Sequence, residues 1–377
     1  MRTLLFLFVI TYNLCATDLS SLYEKLNPAV VMIAVESNLK PSDERADREQ
    51  PFGSGFIIAS EGLVVTNYHV VRSARKSFEE DEDTEEVEKS FRPHRKRSLK
   101  KRKIVPVFKI LDYQGVMLTA KVVFEHNLRD IAILKITDKD FKGYPKSRVL
   151  TLADSSVVKV GQQVFTIGSP MGIFNSMHTG IISGLHRQTR SHESSLIYGN
   201  LIQTDTNYSP GVSGSPLFNM KGEVLGINTM LLSSMMGGQV DMAVPSNILK
   251  RAIHDYHKYK ASKMSFIGVE ALEIPDMRAR KKGYKTRLGV TIINAFRSHP
   301  GYKQGLRVND RIMEVDSRVI LNSFMLRGVL QEFPIGKTVN IKIQRNKKIL
   351  ILKIKLGDMD NFKMPKNFSD RRLLKLI

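Results

Sequence analysis

Only one cysteine, Cys15, occurs in the 377 residues. Without a second thiol the chain has no intramolecular disulfide and no cysteine-based metal site, so stability has to come from packing. No apolar run approaches the roughly 20 residues that a helix needs to cross a bilayer, which removes the polytopic membrane class. P-loops, zinc-ligand spacings and internal repeats are likewise missing. Acidic residues are scarce beside basic ones, 37 against 58, for a net charge of +21. That excess favours contact with nucleic acid, anionic lipid or acidic polypeptide and says nothing of fold. What is present is 42% apolar residues, enough for sizeable cores, which excludes wholesale disorder and collagen. At roughly 100 to 200 residues per domain, the length suggests two or three domains.

The first 16 residues have the order of a short secretory signal: Arg2, the apolar run Leu4 to Ile10, then Leu14-Cys15-Ala16. Residues 1–16 are therefore expected to be removed near Ala16, placing the rest in an exported compartment, periplasmic or secreted. Two other readings stand beside this one. A lipid anchor on Cys15 is disfavoured by bulky Leu14, and a buried amino-terminal helix is the structural alternative.

Beyond the signal, Leu22 to Leu26 read as a short helix and Val30 to Val35 as a strand. Phe56 to Ala59 and Leu63 to Thr66 flank the turn Glu61-Gly62 in the manner of a hairpin. Between Glu79 and Glu88 eight of ten residues are acidic, and from Lys89 to Lys103 nine of fifteen are basic. These blocks cannot form a core and are read as a charged insert over 73–103. Strand-like runs resume at Val107 to Leu111, Val116 to Phe124, Ile131 to Ile136 and Val164 to Ile167. Shorter ones follow at Gly180 to Ile182, Leu201 to Gln203, Leu217 to Phe218 and Val224 to Ile227. So many short strands between glycine turns predict a β barrel or sandwich, with one unit expected over 17–258. Pro245-Ser246-Asn247 then starts a helix whose apolar stripe is Ile248, Leu249, Ala252, Ile253 and Tyr256. After a polar linker at 259–264, strands near Ile267, Val290 to Ile293, Arg311 to Val315 and Val339 to Ile343, with a helix from Ser323 to Gln331, predict a compact α/β module over 265–357. A basic tail, 358–377, closes the chain.

A serine hydroxyl is a poor nucleophile at neutral pH; acyl transfer from it needs a base, a group to orient the base and donors for the oxyanion. Ser213 lies between glycines in Gly211-Val212-Ser213-Gly214-Ser215-Pro216, and the turn at Gly211 suits the amides of Gly211 and Ser213 to an oxyanion hole. His69, in Thr66-Asn67-Tyr68-His69, follows an apolar strand. Asp130 opens the strand Ile131 to Ile136, so its carboxylate is placed to meet His69 at a barrel edge. Each signal alone is weak, since a glycine-flanked serine is most often a turn. The order His, Asp, Ser within one β-rich region is what raises their specificity.

On these residues the sequence resembles the HtrA (DegP-like) family of trypsin-fold serine proteases with one carboxy-terminal PDZ domain. TNYHVV at 66–71 and DIAILKI at 130–136 match the family's histidine and aspartate motifs. GSGFII at 53–58, IGSPMG at 167–172, TGIISG at 179–184, QTDT at 203–206 and AVPSN at 243–247 fit its other landmarks. The resemblance implies a mainly β fold, a chymotrypsin-like double β-barrel followed by a small α/β PDZ domain. It implies His69 as general base, Asp130 as its orienting carboxylate and Ser213 as nucleophile. Phe266, Ile267, Gly268 and Val269 resemble the carboxylate-binding loop of a PDZ domain, where backbone amides capture a peptide's terminal carboxylate and a strand pairs with the peptide. Implied partners are unfolded or misfolded polypeptides and their C-termini, and the implied assembly is a homotrimer; no cofactor and no metal are expected.

The sequence departs from the family at GVSGSP, where GNSGGP is usual. Val212 puts a stiff β-branched residue before the nucleophile, an argument for weak or conditional activity and for the alternative function of a proteolytically weak chaperone or sensor of unfolded polypeptides. Asp241-Met242-Ala243-Val244-Pro245 stands where the family has GFAIP beside its specificity pocket. A third reading takes the basic run through Arg95 to Lys103 as a contact for nucleic acid or an anionic membrane. The neighbouring acidic block and the lack of interleaved aromatics count against nucleic acid. His254 and His257, three apart on a helix, are better placed to complement its dipole than to hold a metal.

Overall fold

A computed structural model describes residues 18–37, 50–77, 106–190, 197–207, 209–233, 239–273, 289–361 and 377. The expected signal (1–16) and the charged blocks at 79–103 lie outside those residues. Residues 73–77, read as the beginning of the insert, are instead the end of a helix.

Helix α1 (Leu19–Leu26) is capped by Asp18, whose carboxylate accepts from the Ser20 amide. Its Leu22 and Leu26 reach into the main core. Six strands follow as a closed barrel: β1 (Val30–Ser37), β2 (Gln50–Ala59), β3 (Leu63–Thr66), β4 (Pro106–Leu111), β5 (Met117–His126) and β6 (Ile131–Ile136). Their spatial order is β1-β2-β3-β6-β5-β4, closed by antiparallel pairing of β4 with β1. Between β3 and β4, helix α2 (68–77) buries Val70, Val71 and Ala74 against this barrel. It is not expected from the sequence: the apolar face is short and runs into the charged block, so the helical period never establishes itself.

A second closed barrel has β7 (Gln163–Gly168), β8 (Ser176–Arg190), β9 (Ile197–Thr204), β10 (Pro216–Asn219), β11 (Val224–Ser233) and β12 (Gln239–Pro245) in the order β10-β11-β12-β9-β8-β7. Strand β8 far exceeds the Gly180 to Ile182 run that marked it. Its register against β9 shifts three times after Ile182, and the polar residues between the shifts hide its continuity. One core joins the barrels, with Phe56, Val65, Ile131 and Ile133 of the first beside Phe165, Ile167, Phe218 and Ile227 of the second. Phe165 and Phe218 stack with centroids 5.0 Å apart and are fully buried, each contributing about 1.5–3 kcal/mol of burial. Helix α3 (Ser246–Tyr259) seals this core with Ile248, Leu249 and Ala252.

The remaining elements form an α/β module with its own core. Strands β14 (Val269–Leu272), β15 (Val290–Ala295), β16 (Arg311–Val315), β18 (Thr338–Arg345) and β19 (Lys348–Lys355) lie in the order β14-β15-β16-β18-β19, with β17 (Arg318–Val319) on β16. Strand β13 (Ser265–Phe266) pairs separately with β20 (Gly357–Asp358). Helix α4 (Pro300–Lys303) is a single turn; α5 (Ser323–Gln331), capped by Asn322, packs Met325, Leu326, Val329 and Leu330 into the module's core.

The same α5 meets the second barrel, where Gly199 of β9 passes against Phe324. Nearby, Asn200 and Asn247 donate to the Glu332 carboxylate at 3.3 and 3.2 Å. Deeper in this seam, Arg251 donates to Asp255 at 2.7 Å, to Ser265 Oγ at 2.8 Å and to the Phe333 carbonyl. Arg129 donates to the Lys263 carbonyl at 3.2 Å.

Candidate active site and peptide groove

Strand register brings the site together. The last residue of β3, Thr66, pairs with Ala132 of β6, so the segment leaving β3 at Asn67 runs beside the one entering β6 at Asp130. In the second barrel Pro216 pairs with Ile227, which sets the loop before β10 next to the middle of β11. His69 rides the first turn of α2 and faces that loop across the junction of the barrels.

His69, Asp130 and Ser213 are brought into one hydrogen-bonded line. His69 Nδ1 lies 2.8 Å from Asp130 Oδ2, and Nε2 lies 2.9 Å from Ser213 Oγ. The His69 amide also donates to Asp130 Oδ1 at 2.9 Å, so the carboxylate fixes both the ring and its backbone. Asp130 is completely buried and adopts a left-handed conformation, φ 54°, which aspartate tolerates better than most residues. Asn67 Nδ2 donates to the Asp130 carbonyl at 2.9 Å, and Thr229 Oγ1 donates to Oδ2. Burying a carboxylate without such donors would be costly. Asn67 and Thr229 escaped the sequence reading. Asn67 lies inside the histidine motif, but only the strand pairing shows that Thr229 comes near.

The loop carrying Ser213 is clamped by Ser54. The Ser54 amide donates to the Ser213 carbonyl at 2.8 Å; its hydroxyl donates to the Gly211 carbonyl at 2.7 Å and accepts from the Ser169 amide at 2.9 Å. Ser54 was visible in the sequence only as a hairpin residue. Gly211 has φ +98°, and a Cβ there would sit 2.4 Å from the Ser169 carbonyl oxygen, so only glycine fits. Val212 turns its side chain inward and is 1% exposed; its amide donates to the Ser209 carbonyl at 3.1 Å and its carbonyl accepts from Ser215 at 2.9 Å. The β-branched residue is thus shielded from water, and the His69 to Ser213 contact forms with it in place. Ser215 is fully buried, with its hydroxyl 3.1 Å from Thr166 Oγ1 and accepting from Asn228 Nδ2 at 2.9 Å.

In the α/β module, three of the four residues expected in the carboxylate loop converge through their backbone. The amides of Ile267, Gly268 and Val269 point at one oxygen, that of Ile377, at 3.3, 2.8 and 3.1 Å. Phe266 does something else: it pairs with Gly357 across β13 and β20, and its ring meets His299 edge-on at 5.3 Å. Gly268 has φ +75°, and a Cβ there would lie 2.3 Å from the His299 Cβ. Among the described residues, no group of three metal-binding side chains occurs.

Comparison with known proteins agrees with both halves. Residues 53–227 match the family described as a trypsin-like peptidase domain, and residues 265–356 match a PDZ domain. A Bacillus subtilis protein called serine protease Do-like HtrA is 30% identical over 370 residues, covering 92% of this chain and 74% of the relative. The probable periplasmic serine endoprotease DegP-like of Rickettsia conorii is 29% identical over 351 residues, covering 93% of this chain and 61% of its own length. Among solved structures, the HtrA-type protease AlgW with tripeptide superposes with a TM-score of 0.60 at 21% identity, covering 93% of this chain and 99% of that one. At that identity it speaks for the fold.

Proposed function

The chain belongs to the HtrA (DegP-like) family of serine proteases, and from that premise we propose that His69, Asp130 and Ser213 are the catalytic triad of this serine endopeptidase. The observation that carries the assignment is the continuous line Asp130–His69–Ser213, with contacts of 2.8 and 2.9 Å. Asp130 accepts the Nδ1 proton, so Nε2 carries the lone pair that faces Ser213 Oγ. Ser213 Oγ attacks the scissile carbonyl carbon while its proton passes to His69 Nε2. The imidazolium is stabilised by Asp130, and the negative oxygen is received by the amides of Gly211 and Ser213. His69 returns the proton to the leaving amine, and water, activated by the same imidazole, then releases the acyl group and restores Ser213.

The proposed substrates are misfolded or damaged exported proteins, with the PDZ groove taking polypeptide C-termini through the amides of Ile267, Gly268 and Val269. Relatives named as periplasmic endoproteases support the exported compartment. No helix among the described residues is long and apolar enough to cross a membrane. A homotrimer is the proposed assembly, to be checked by sedimentation of the purified protein. Hydrolysis is preferred over the binding-only alternative because the line from Asp130 through His69 to Ser213 is unbroken with Val212 in place, and because relatives are named serine proteases. Degradation of casein by the purified protein, abolished in Ser213→Ala, is the deciding measurement; equal rates in the two would refute the assignment.

A further inference from the structure

The peptide groove is filled by the chain itself. Ile377 presents its carbonyl oxygen to the three loop amides and donates its own amide to the Val269 carbonyl at 2.8 Å. Its side chain is 3% exposed and belongs to the module's apolar core. Three convergent N–H donors hold that one oxygen, and the reciprocal bond to Val269 sets one residue of an added strand beside β14. We infer that Ile377 is the resident ligand of the PDZ groove, so that a foreign C-terminus binds only by displacing it. This rests on the groove reading above and adds the identity of its occupant and the competition that follows.

Attachment favours Ile377 over a foreign peptide. Just before residues 362–376, the Met359 amide donates to the Met264 carbonyl, three residues from Ile267. An anchor this near makes docking of residue 377 an intramolecular step. For short connections that corresponds to an effective concentration in the millimolar range. A foreign peptide of micromolar intrinsic affinity therefore meets a groove that is mostly occupied, and its apparent affinity falls by the fraction left open. The occupant also bears on the protease half, because Ile377 packs in the same core as Leu326 and Val329 of α5, the helix that meets β9.

The test is fluorescence anisotropy with a labelled peptide matching residues 371–377 and bearing a free carboxylate. It is titrated with the full chain in the Ser213→Ala background, so that the probe survives. Two blocked tails are compared with the parent: Ile377→Asp, which puts a charge into the apolar site, and Ile377→Pro, whose nitrogen has no proton to give the Val269 carbonyl. Both should bind the probe at least about tenfold more tightly than the parent, and an amide-capped probe should bind none of them. Equal affinity in all three proteins would overturn self-occupancy while leaving the groove reading intact. No binding to any of them would overturn both. If the parent's weak binding were relieved simply by dilution, the occupant would be a second copy's tail, and the intramolecular form of the inference would fall.

Discussion

The proposed triad and the proposed peptide groove lie in one chain but are made of different things. The triad is built of side chains separated by tens of residues and aligned by two barrels; remove any one functional group and the proton path is broken. The groove is built of three consecutive backbone amides, 267 to 269, on which side-chain identity bears only through shape. Their support differs in the same way. Asp130 is surrounded by donors from Asn67, His69 and Thr229, whereas the groove needs only the left-handed turn at Gly268 and the start of β14. Chemistry is therefore expected to be fragile to single-atom changes and recognition to be fragile to backbone changes.

The largest effect sharpens the first half of that contrast. Ser213→Ala should lower kcat by about six orders of magnitude, and adding His69→Ala should cost little more, since triad members act as a unit. Asp130→Asn should follow at about four orders, because an amide permits the wrong imidazole tautomer. Steady-state kinetics on a small ester measures all three. In each variant peptide binding to the groove should be unchanged, and a parallel loss of binding would break the proposed separation.

This contrast also explains what could be read without a structure. The meeting of His69, Asp130 and Ser213 was legible because these residue types stand in motifs at strand ends. Helix 323–331 was legible to the residue because its apolar stripe and Asn322 cap agree. Less could be read of what depends on pairing between distant segments. Thr229 reaches Asp130 because the β10–β11 pairing sets that strand behind the Ser213 loop. Ser54 clamps that loop from a strand 157 positions away in the sequence from Gly211, and β8 is broken by bulges that look like turns. Nor could the sequence show that Phe266 belongs to a different strand pair from Val269, with Ile267 and Gly268 between the two strands, since four consecutive residues carry no sign of where pairing switches.

Gly268→Trp tests the second half of the contrast. With φ +75° and His299 already where a Cβ would go, any side chain forces the loop to shift and its amides to lose their common target. In a chain with a blocked tail, affinity for the probe peptide should fall by at least about thirtyfold, the equivalent of losing one or two charge-assisted hydrogen bonds. Ester hydrolysis should be untouched. Isothermal titration read beside ester kinetics decides the matter: unchanged affinity would remove the backbone account of the groove, and joint loss would mean misfolding.

The smallest effect concerns the seam, where the two halves are held by buried charge. His126 is 2% exposed, and neither ring nitrogen has a hydrogen-bond partner among the described residues. Burial, and then the positive charges of Arg129 and Arg251, hold its pKa well below the ordinary 6.5. The folded protein therefore keeps this ring neutral where the unfolded chain takes up a proton. Below about pH 6.5 the unfolded state binds more protons, and stability falls with falling pH by up to about 1.4 kcal/mol per unit until the depressed folded pKa is reached; above 6.5 the group contributes no slope. His126→Leu should flatten that part of the profile. Because Arg129 and Arg251 bind Lys263, Ser265 and Phe333 across the same seam, protonation should loosen the junction before either core. Hydrogen exchange should then show lost protection at residues 263–266 in mild acid while β6 remains protected. Thermal midpoints from about pH 7.5 to 5.5 with the same slope in parent and variant would show that His126 is not the titrating group.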